Sequence, residues 1–392
     1  MTEAIVNLVP ESRGVRAYKR GRVRPLEDDD LPGIVDLYGR VYPERPAASL
    51  AALKPRLEQI LLHHPWLDER LPSLVYEDSS GAIAGFLGVL PRPMWCDGRK
   101  LTAAVSHSFL VAPGSRSSLA ALQLARRFLA GSQDLSLAEG NDGSRRLWEG
   151  FGGSVLPLYS LCWIRPLRPG RYALGFLQRR GMRPAVGSLL RPLSALLDGF
   201  APLVLPKLFR SAAAPFATQP LQPPQVTEAF ARLTRQRTLR PEYDAAAFVW
   251  LLETLRANRI RGELRHMAVA DRSGALRGWY VYYLRPDGVA EVLQLVAGPD
   301  AGGAVFDHLL HGARLAGASA VSGALDPAWL GTLAGRSCLF HHDGHSWMLV
   351  HSRQAPVLRA FHEGQAFVSR LDGEWWISSL LGYTEPHGRT DP

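Results

Sequence analysis

The stretch Ala103 to Ala130 restricts the fold more than any other. It opens with an apolar run of strand character, Ala103–Val111, and passes through the turn Ala112-Pro113-Gly114-Ser115-Arg116-Ser117-Ser118. A helix is then expected over Leu119–Ala130, with Leu119, Leu122, Leu124, Ala125, Phe128 and Leu129 on one broad apolar face. This order puts the free amides of a helix start at the end of a strand. Those amides have no internal partner and the helix dipole adds partial positive charge, so the position suits an anion. Arg116 and the hydroxyls of Ser115, Ser117 and Ser118 would add donors. The same order also serves as an ordinary strand-to-helix connection, so what flanks it decides between the two.

Upstream, residues 1–20 read as a loose polar arm and Arg22-Val23-Arg24-Pro25-Leu26 as a short strand. Asp28, Asp29 and Asp30 precede Leu31, Ile34, Val35, Leu37, Tyr38 and Val41, which is an acidic first turn followed by helical spacing. A second helix is expected over Leu50–His63, then strands over 72–77 and 83–90 around the turn Asp78-Ser79-Ser80-Gly81. Downstream, Leu135–Ala138 reads as a strand and Asn141-Asp142-Gly143-Ser144 opens a helix running to Glu149. Strand character over Ser154–Ile164 closes the unit.

The second half repeats this plan. After the Pro-rich stretch Pro215–Pro224, helices are expected over Val226–Leu239 and Tyr243–Ala257, then a hairpin of 264–270 with 276–284. A strand over 290–296 leads through Ala297-Gly298-Pro299-Asp300-Ala301-Gly302-Gly303 into a helix over Ala304–Ala316. Strands over 318–325 and 347–350 complete the second set. The fold class expected is therefore α/β, with two mixed-sheet domains in tandem at 1–165 and 225–385 and a basic, Pro-rich helical linker at 166–224.

The charge distribution singles out that linker. Between Arg165 and Arg210 lie nine basic residues and one acid, Asp198, so this segment holds +8 of the chain's net +9. It is also rich in large apolar residues, among them Phe176, Leu189, Leu196, Phe200 and Leu203, and its prolines are expected to cut it into short helical pieces. Basic residues mixed with bulky apolar ones fit an anionic membrane surface, and equally a connector packed between two domains. Nucleic acid is not expected, because aromatic interleaving and the known motifs are missing. Cys96, Cys162 and Cys338 are odd in number and far apart, which suits a reducing compartment. The opening residues lack a secretion signal and no apolar run approaches the roughly 20 residues of a membrane span. A cytoplasmic protein is expected, peripheral on the membrane's inner face if the linker docks there. No Gly-x-Ser-x-Gly, phosphate-binding Walker loop or zinc spacing occurs. His341-His342-Asp343-Gly344-His345 has metal-ligand residue types, but Asp-Gly between apolar runs is a turn signal, so no metal is expected.

Four segments in order resemble the GNAT superfamily of N-acyltransferases. Val23-Arg24-Pro25-Leu26-Glu27-Asp28-Asp29-Asp30-Leu31-Pro32-Gly33-Ile34 resembles its first strand and helix. Gly81-x-Ile83-x-Gly85-Phe86-Leu87-Gly88 resembles its second-to-third-strand hairpin. Val111-x-Pro113-x-x-Arg116 resembles the start of its pyrophosphate loop, and Asn141-x-x-Ser144-x-x-Leu147-Trp148-x-x-x-Gly152 its fourth-helix signature. The resemblance covers about residues 22 to 165, and the repeat makes the layout that of tandem GNAT proteins, shared by the Fem-type transferases that use aminoacyl-tRNA. It departs from the pattern at Leu119, where the family's loop carries its central Gly, and at Trp148, where many members carry a general-acid Tyr. Leucine keeps the backbone amides but crowds any close approach of a pyrophosphate, and an indole cannot protonate a thiolate.

The resemblance implies transfer of an acyl group from acetyl-CoA or a longer acyl-CoA to a primary amine. The acceptor is a small molecule or, given the basic apolar linker, a lipid amine such as a sphingoid-type base or lipid-linked amino sugar. Phe109, Leu110, Val111, Arg116, Ser117, Ser118, Leu119, Asn141 and Trp148 are the implied coenzyme contacts. An amine is mostly ammonium at neutral pH, so a base must take its proton before attack. His107 on the central strand and Glu139 at the end of the next are placed to border one cleft, with Tyr159 as an acid. Backbone N–H groups splayed at that strand would polarise the thioester carbonyl. Each of these residues also has a plain structural use: a core histidine, a solvated strand-end acid, a packing tyrosine, and for Asn141 a helix cap. The alternatives are a Fem-type aminoacyl transferase and a non-catalytic tandem module that kept only the fold.

Overall fold

The computed structural model describes residues 21–114, 117–205, 209, 217–342, 344 and 346–382. β1 (Arg22–Pro25) leads into a single turn at Asp28–Asp30 and then α1 (Leu31–Val41). Arg24 grips both Asp30 oxygens at 2.6 and 2.7 Å, and the Glu27 N–H donates to the same carboxylate at 2.9 Å, so the acidic run works as a helix start. The helix expected over 50–63 divides into α2 (Ala47–Ala51) and α3 (Leu53–Leu62). β2 (Leu74–Glu77), β3 (Ile83–Cys96) and β4 (Arg99–Val111) follow. β3 and β4 run longer than expected because Asp97 and Gly98, both at positive φ, make a tight hairpin turn beyond the proline pair Pro91 and Pro93. α4 (Ser117–Leu129), β5 (Leu135–Gly140) and α5 (Asp142–Gly150) complete the first strand–loop–helix copy.

Beyond β6 (Ser154–Val155) the chain crosses to the other half. β7 (Cys162–Pro166) pairs antiparallel with β13 (Ala320–Ala324) of the second copy, and β15 (Trp347–His351) pairs antiparallel with β5 of the first. The two halves therefore exchange strands, and the boundaries expected at 165 and 225 do not divide the sheets. Packing explains the destination of β7. Trp163 lies across Gly323, where a Cβ would meet its ring at 3.0 Å, its indole donates to the Ala324 carbonyl at 3.1 Å, and it stacks edge-on against Phe306. An apolar strand pattern carries no mark of which sheet it will join.

The basic segment forms α6 (Pro169–Arg179) and α7 (Pro184–Val204). α7 runs 21 residues with Pro192 and Pro202 inside it, so these prolines do not cut it into pieces. Ala217–Pro220, expected as linker, is an edge strand, β8, on β10 (Glu263–Ala270). α8 (Pro223–Leu233), β9 (Leu239–Pro241), α9 (Ala245–Ala257), β11 (Leu276–Leu284), β12 (Val289–Ala297) and α10 (Gly302–Leu315) rebuild the plan. α11 (Leu330–Gly335), β14 (Leu339–His341), α12 (Ala355–His362) and α13 (Trp375–Leu380) end the chain described. Among the described residues one sheet runs β1-β2-β3-β4-β5-β15-β6, with β9 on the far end of β3, and the other β14-β7-β13-β12-β11-β10-β8.

One apolar core spans both halves, drawing on α1, α3, α8, α9 and the segment 366–381. A polar chain crosses it. Arg92 of β3 pairs with Asp372 at 2.8 Å, both almost fully buried, and its guanidinium lies 4.0 Å from the centre of the Trp66 ring. The Tyr243 hydroxyl donates to Asp372 and accepts from the Gln294 amide of β12 at 2.9 Å, and Gln294 accepts from Trp279 of β11. The Ser369 N–H and hydroxyl fill the other Asp372 oxygen. Removing one member leaves a buried charge without its partner, at a cost of about 3–5 kcal/mol. Asp372→Ala is expected to lower stability by that amount in urea unfolding, while Asp68→Ala, which breaks an exposed pair with Arg70, is expected to cost less than about 1 kcal/mol.

Candidate functional site at the strand split

β4 and β5 pair in parallel only over Ala103–Val105 and Leu135–Leu137, after which the strands part. On its other side β4 slips register against β3 between Phe86 and Gly88. Ser108, at φ +54, is the non-glycine residue that absorbs this bulge. The His107 ring fills the space a side chain at position 88 would take, since a Cβ on Gly88 would meet Cε1 at 2.2 Å. Gly88 and the bulge are thus two halves of one close fit.

A carboxylate sits in the split. Glu374 accepts from the Ser108 N–H at 3.1 Å through Oε1 and from the Glu139 N–H at 3.2 Å through Oε2. Glu139 reaches back, its Oε1 accepting from the Trp375 N–H at 3.3 Å at the start of α13. Burial, and then the neighbouring Glu139 charge, push the Glu374 carboxyl up to about 8, against the pull of its two N–H donors. At neutral pH the pair therefore holds a proton at Glu374. The stretch Glu374-Trp375-Trp376-Ile377 reads from sequence as a buried strand, but it is the cap and first turn of a helix. Its signal is Glu374 ahead of Trp376, Ile377, Leu380 and Leu381 at helical spacing.

Beside the pair opens a cavity of about 610 Å³ between the two sheets, lined by Glu139, Tyr159, Met348 and Trp375 on one side. β7, β13, β12 and α6 line it as well, with a cluster of arginines: Arg179, Arg180, Arg261, Arg285 and Arg370. Two acids stand among them. Asp287 pairs with Arg179 and Arg285, each at 2.9 Å, and Glu291 pairs with Arg370 at 3.0 Å. Arg370 and Arg261 also lie 4.6 and 5.0 Å from the centre of the Trp375 ring, which ties the cluster to the carboxylate pair. Sequence reading did not bring Glu374 and the five arginines together, because they come from four separate segments with no motif between them.

The sequence-derived site residues fall into distinct places. Glu139 and Tyr159 both face the cavity. The Tyr159 hydroxyl donates to the Ala366 carbonyl at 3.0 Å, and burial raises its pKa, which makes it a weaker acid. His107 has no exposed surface; burial, then His64, pull it down to about 3, so it is a neutral core group and a poor base. Its Nδ1 lies 3.1 Å from the Ser108 hydroxyl. Asn141 caps α5, accepting from the Ser144 N–H at 3.1 Å, and Trp148 is buried against Phe128. Along β4, Leu110 faces the large core while Phe109 and Val111 pack on the opposite side. Ser117, Ser118 and Leu119 form the first turn of α4, with the Leu119 side chain exposed; Arg116 lies outside the described residues. The N–H groups expected to polarise a thioester are present at the split, but Glu374 holds them. His342 of the histidine run stacks on Trp347 at 4.2 Å, and Asp343 and His345 lie outside the described residues.

Two outcomes follow from this geometry. Between the ordinary carboxyl value of 4.5 and about 8 the folded state holds a proton on Glu374 that the unfolded state has lost. Stability is therefore expected to fall as pH rises through that window, by up to about 1.4 kcal/mol per pH unit, and Glu374→Gln is expected to flatten the slope in thermal melts. Gly88→Ala is expected to cost about 1–3 kcal/mol by driving a methyl group into the His107 ring, readable in the same melts.

No family model matches the sequence, and no curated protein matches it. Solved structures do. A probable N-acyltransferase of Enterococcus faecalis matches over 87% of this chain and 74% of its own, at 11% identity and a TM-score of 0.53. A GCN5-related N-acetyltransferase from Anabaena variabilis matches over 87% and 75%, at 13% identity and a TM-score of 0.57. Another from Kribbella flavida matches over 84% and 71%, at 15% and 0.50. With its two mixed sheets, each carrying a parallel strand pair that parts beside a helix start, the chain has the fold of the GCN5-related N-acetyltransferases in tandem form.

Proposed function

We propose that this protein is an N-acyltransferase that moves an acyl group from a coenzyme A thioester to a primary amine. The observation that carries the reading is the carboxylate of Glu139, standing where β4 and β5 part and facing the large cavity between the sheets. Glu139 takes a proton from the acceptor ammonium, and the freed amine attacks the thioester carbonyl. The C–N bond forms, the C–S bond breaks, and the nitrogen's second proton passes to the departing thiolate, so that coenzyme A leaves as the thiol. A thiol has a pKa near 8.5 in water, so the thiolate departs without a strong acid, which accommodates a buried Trp148 and a hydrogen-bonded Tyr159. Glu374 is not itself among the residues that line the cavity; it is a positioning residue that accepts from the Ser108 and Glu139 N–H groups and so fixes the Glu139 backbone at the split.

Five arginines against Glu139, Asp287 and Glu291 leave the cavity wall positive. That balance supports an acceptor whose amine is accompanied by an anionic group, a carboxylate or phosphate, held by the arginine cluster while the amine reaches Glu139. The resemblance noted above supports acetyl-CoA or a longer acyl-CoA as the donor.

A second reading, a binding module without catalysis, is favoured by one feature: Glu374 already fills the two N–H groups at the split. Thiol release from acetyl- and long-chain acyl-CoA in the presence of anionic amines separates the two. The transferase reading expects release, and expects Glu139→Gln to lower kcat by about 10²–10⁴ with little change in KM for the thioester. Full activity in Glu139→Gln, or no thiol release with any donor, would count against it.

A further inference from the structure

The hairpin of α6 and α7 is built inside out. α7 packs on α6 through small or short residues: Gly187 and Ser194 are buried, and a Cβ on Gly170 of α6 would meet the Ser194 carbonyl oxygen at 2.2 Å. Its large apolar residues point the other way. Val186, Leu189, Leu193, Leu196, Phe200 and Leu203 recur at intervals of three and four, forming one stripe along the helix. All six are exposed, Leu189 by 80% and Leu203 by 69%. Phe176 and Leu177 of α6 are exposed as well. A contiguous apolar face of this length is uncommon on a protein that has nothing to cover it.

The charges of the hairpin select what covers the stripe. Arg171 of α6, Arg180 and Arg183 at the turn between the helices, and Arg191 of α7 are exposed, and Arg171 also pairs with Asp198 at 3.7 Å. The one acid of the segment, Asp198, is turned inward, where it accepts from the Gly170 N–H at 2.7 Å and the Arg171 N–H at 3.3 Å and so caps α6. What the hairpin presents outward is therefore apolar and positive. We infer that the α6–α7 hairpin docks on an anionic lipid surface, with the α7 stripe in the headgroup–acyl boundary and the arginines among the phosphates. No helix of the described residues is long and apolar enough to cross a membrane, and docking of this kind needs none. Because Tyr172, Phe176, Arg179 and Arg180 of α6 also line the large cavity, docking brings that cavity against the bilayer.

Co-sedimentation of the full chain with phosphatidylglycerol–phosphatidylcholine vesicles, set beside pure phosphatidylcholine vesicles, tests the inference. The expected result is binding to the anionic vesicles that weakens in high salt and is at least about tenfold weaker on the neutral ones. Arg183→Gln and Arg191→Gln are each expected to weaken it about fivefold. The triple variant Leu189→Glu/Leu196→Glu/Phe200→Glu is expected to lose more than about 100-fold with an unchanged melting temperature, since all three side chains already lie in water. Equal binding to both vesicle types, no binding at all, or a dimer in light scattering that the triple variant disperses would overturn it. The last outcome would assign the stripe to a second copy of the chain. Thiol-release activity toward soluble substrates is read separately, so failure of docking and failure of the transferase reading are distinguishable.

Discussion

The buried pair of Arg92 and Asp372 is the constraint on which the arrangement rests. Arg92 belongs to the long central hairpin of the first sheet, while Asp372 belongs to a late loop that also contacts the second sheet through Tyr243 and Gln294. A charge pair this deep is weak evidence for net stability, because desolvating both groups offsets most of their attraction. What it supplies is position. With Asp372 fixed on one oxygen by Arg92 and Tyr243 and on the other by Ser369, the residue two places on, Glu374, has little freedom but to reach the split between β4 and β5. The polar chain through the core and the carboxylate pair at the site are one device.

Strand exchange places the site in the same way. β15 lies beside β5, with Met348 opposite Glu139, and β7 lies beside β13, so the wall between the sheets is woven from both halves of the chain. Neither half alone contains the cavity, whose lining runs from Glu139 to Trp375. The loop that carries Asp372 and Glu374 could not be held between two independent domains as firmly as it is held by one shared core.

How much of this was legible follows from the range of each signal. Helical and strand periodicity, acidic helix starts and small-residue turns are local, and they located most elements of both copies, including the strand–turn–helix at α4. The fate of β7 and β15 depends on contacts more than a hundred residues away, such as Trp163 over Gly323, and an apolar strand looks alike in either sheet. Prolines at 192 and 202 argued locally for a broken segment, yet α7 passes through both. At the site, Glu139 stood out because it ends a strand. His107 stood out equally, but only the closeness of Gly88 in space shows that the ring fills a gap in the core. Glu374 was hidden by its aromatic neighbours, whose bulk imitates a strand.

The plan occurs twice, and the two splits are packed differently. In the second sheet β12 and β13 pair over Val289–Val292 and Ala320–Gly323 and then part as β4 and β5 do. There Phe367, Val368, Ser369 and Arg370 crowd the opening down to about 40 Å³, and Gln294 beside it is committed to Trp279 and Tyr243. The same loop therefore meets both splits but treats them differently. It closes the second with bulk and backbone, while it meets the first with a single carboxyl that carries a proton at neutral pH and sits next to open space. A neutral acid releases two backbone N–H groups at far smaller cost than a buried apolar segment can withdraw from its core. The same layout is thus filled beside the second split and left open beside the first.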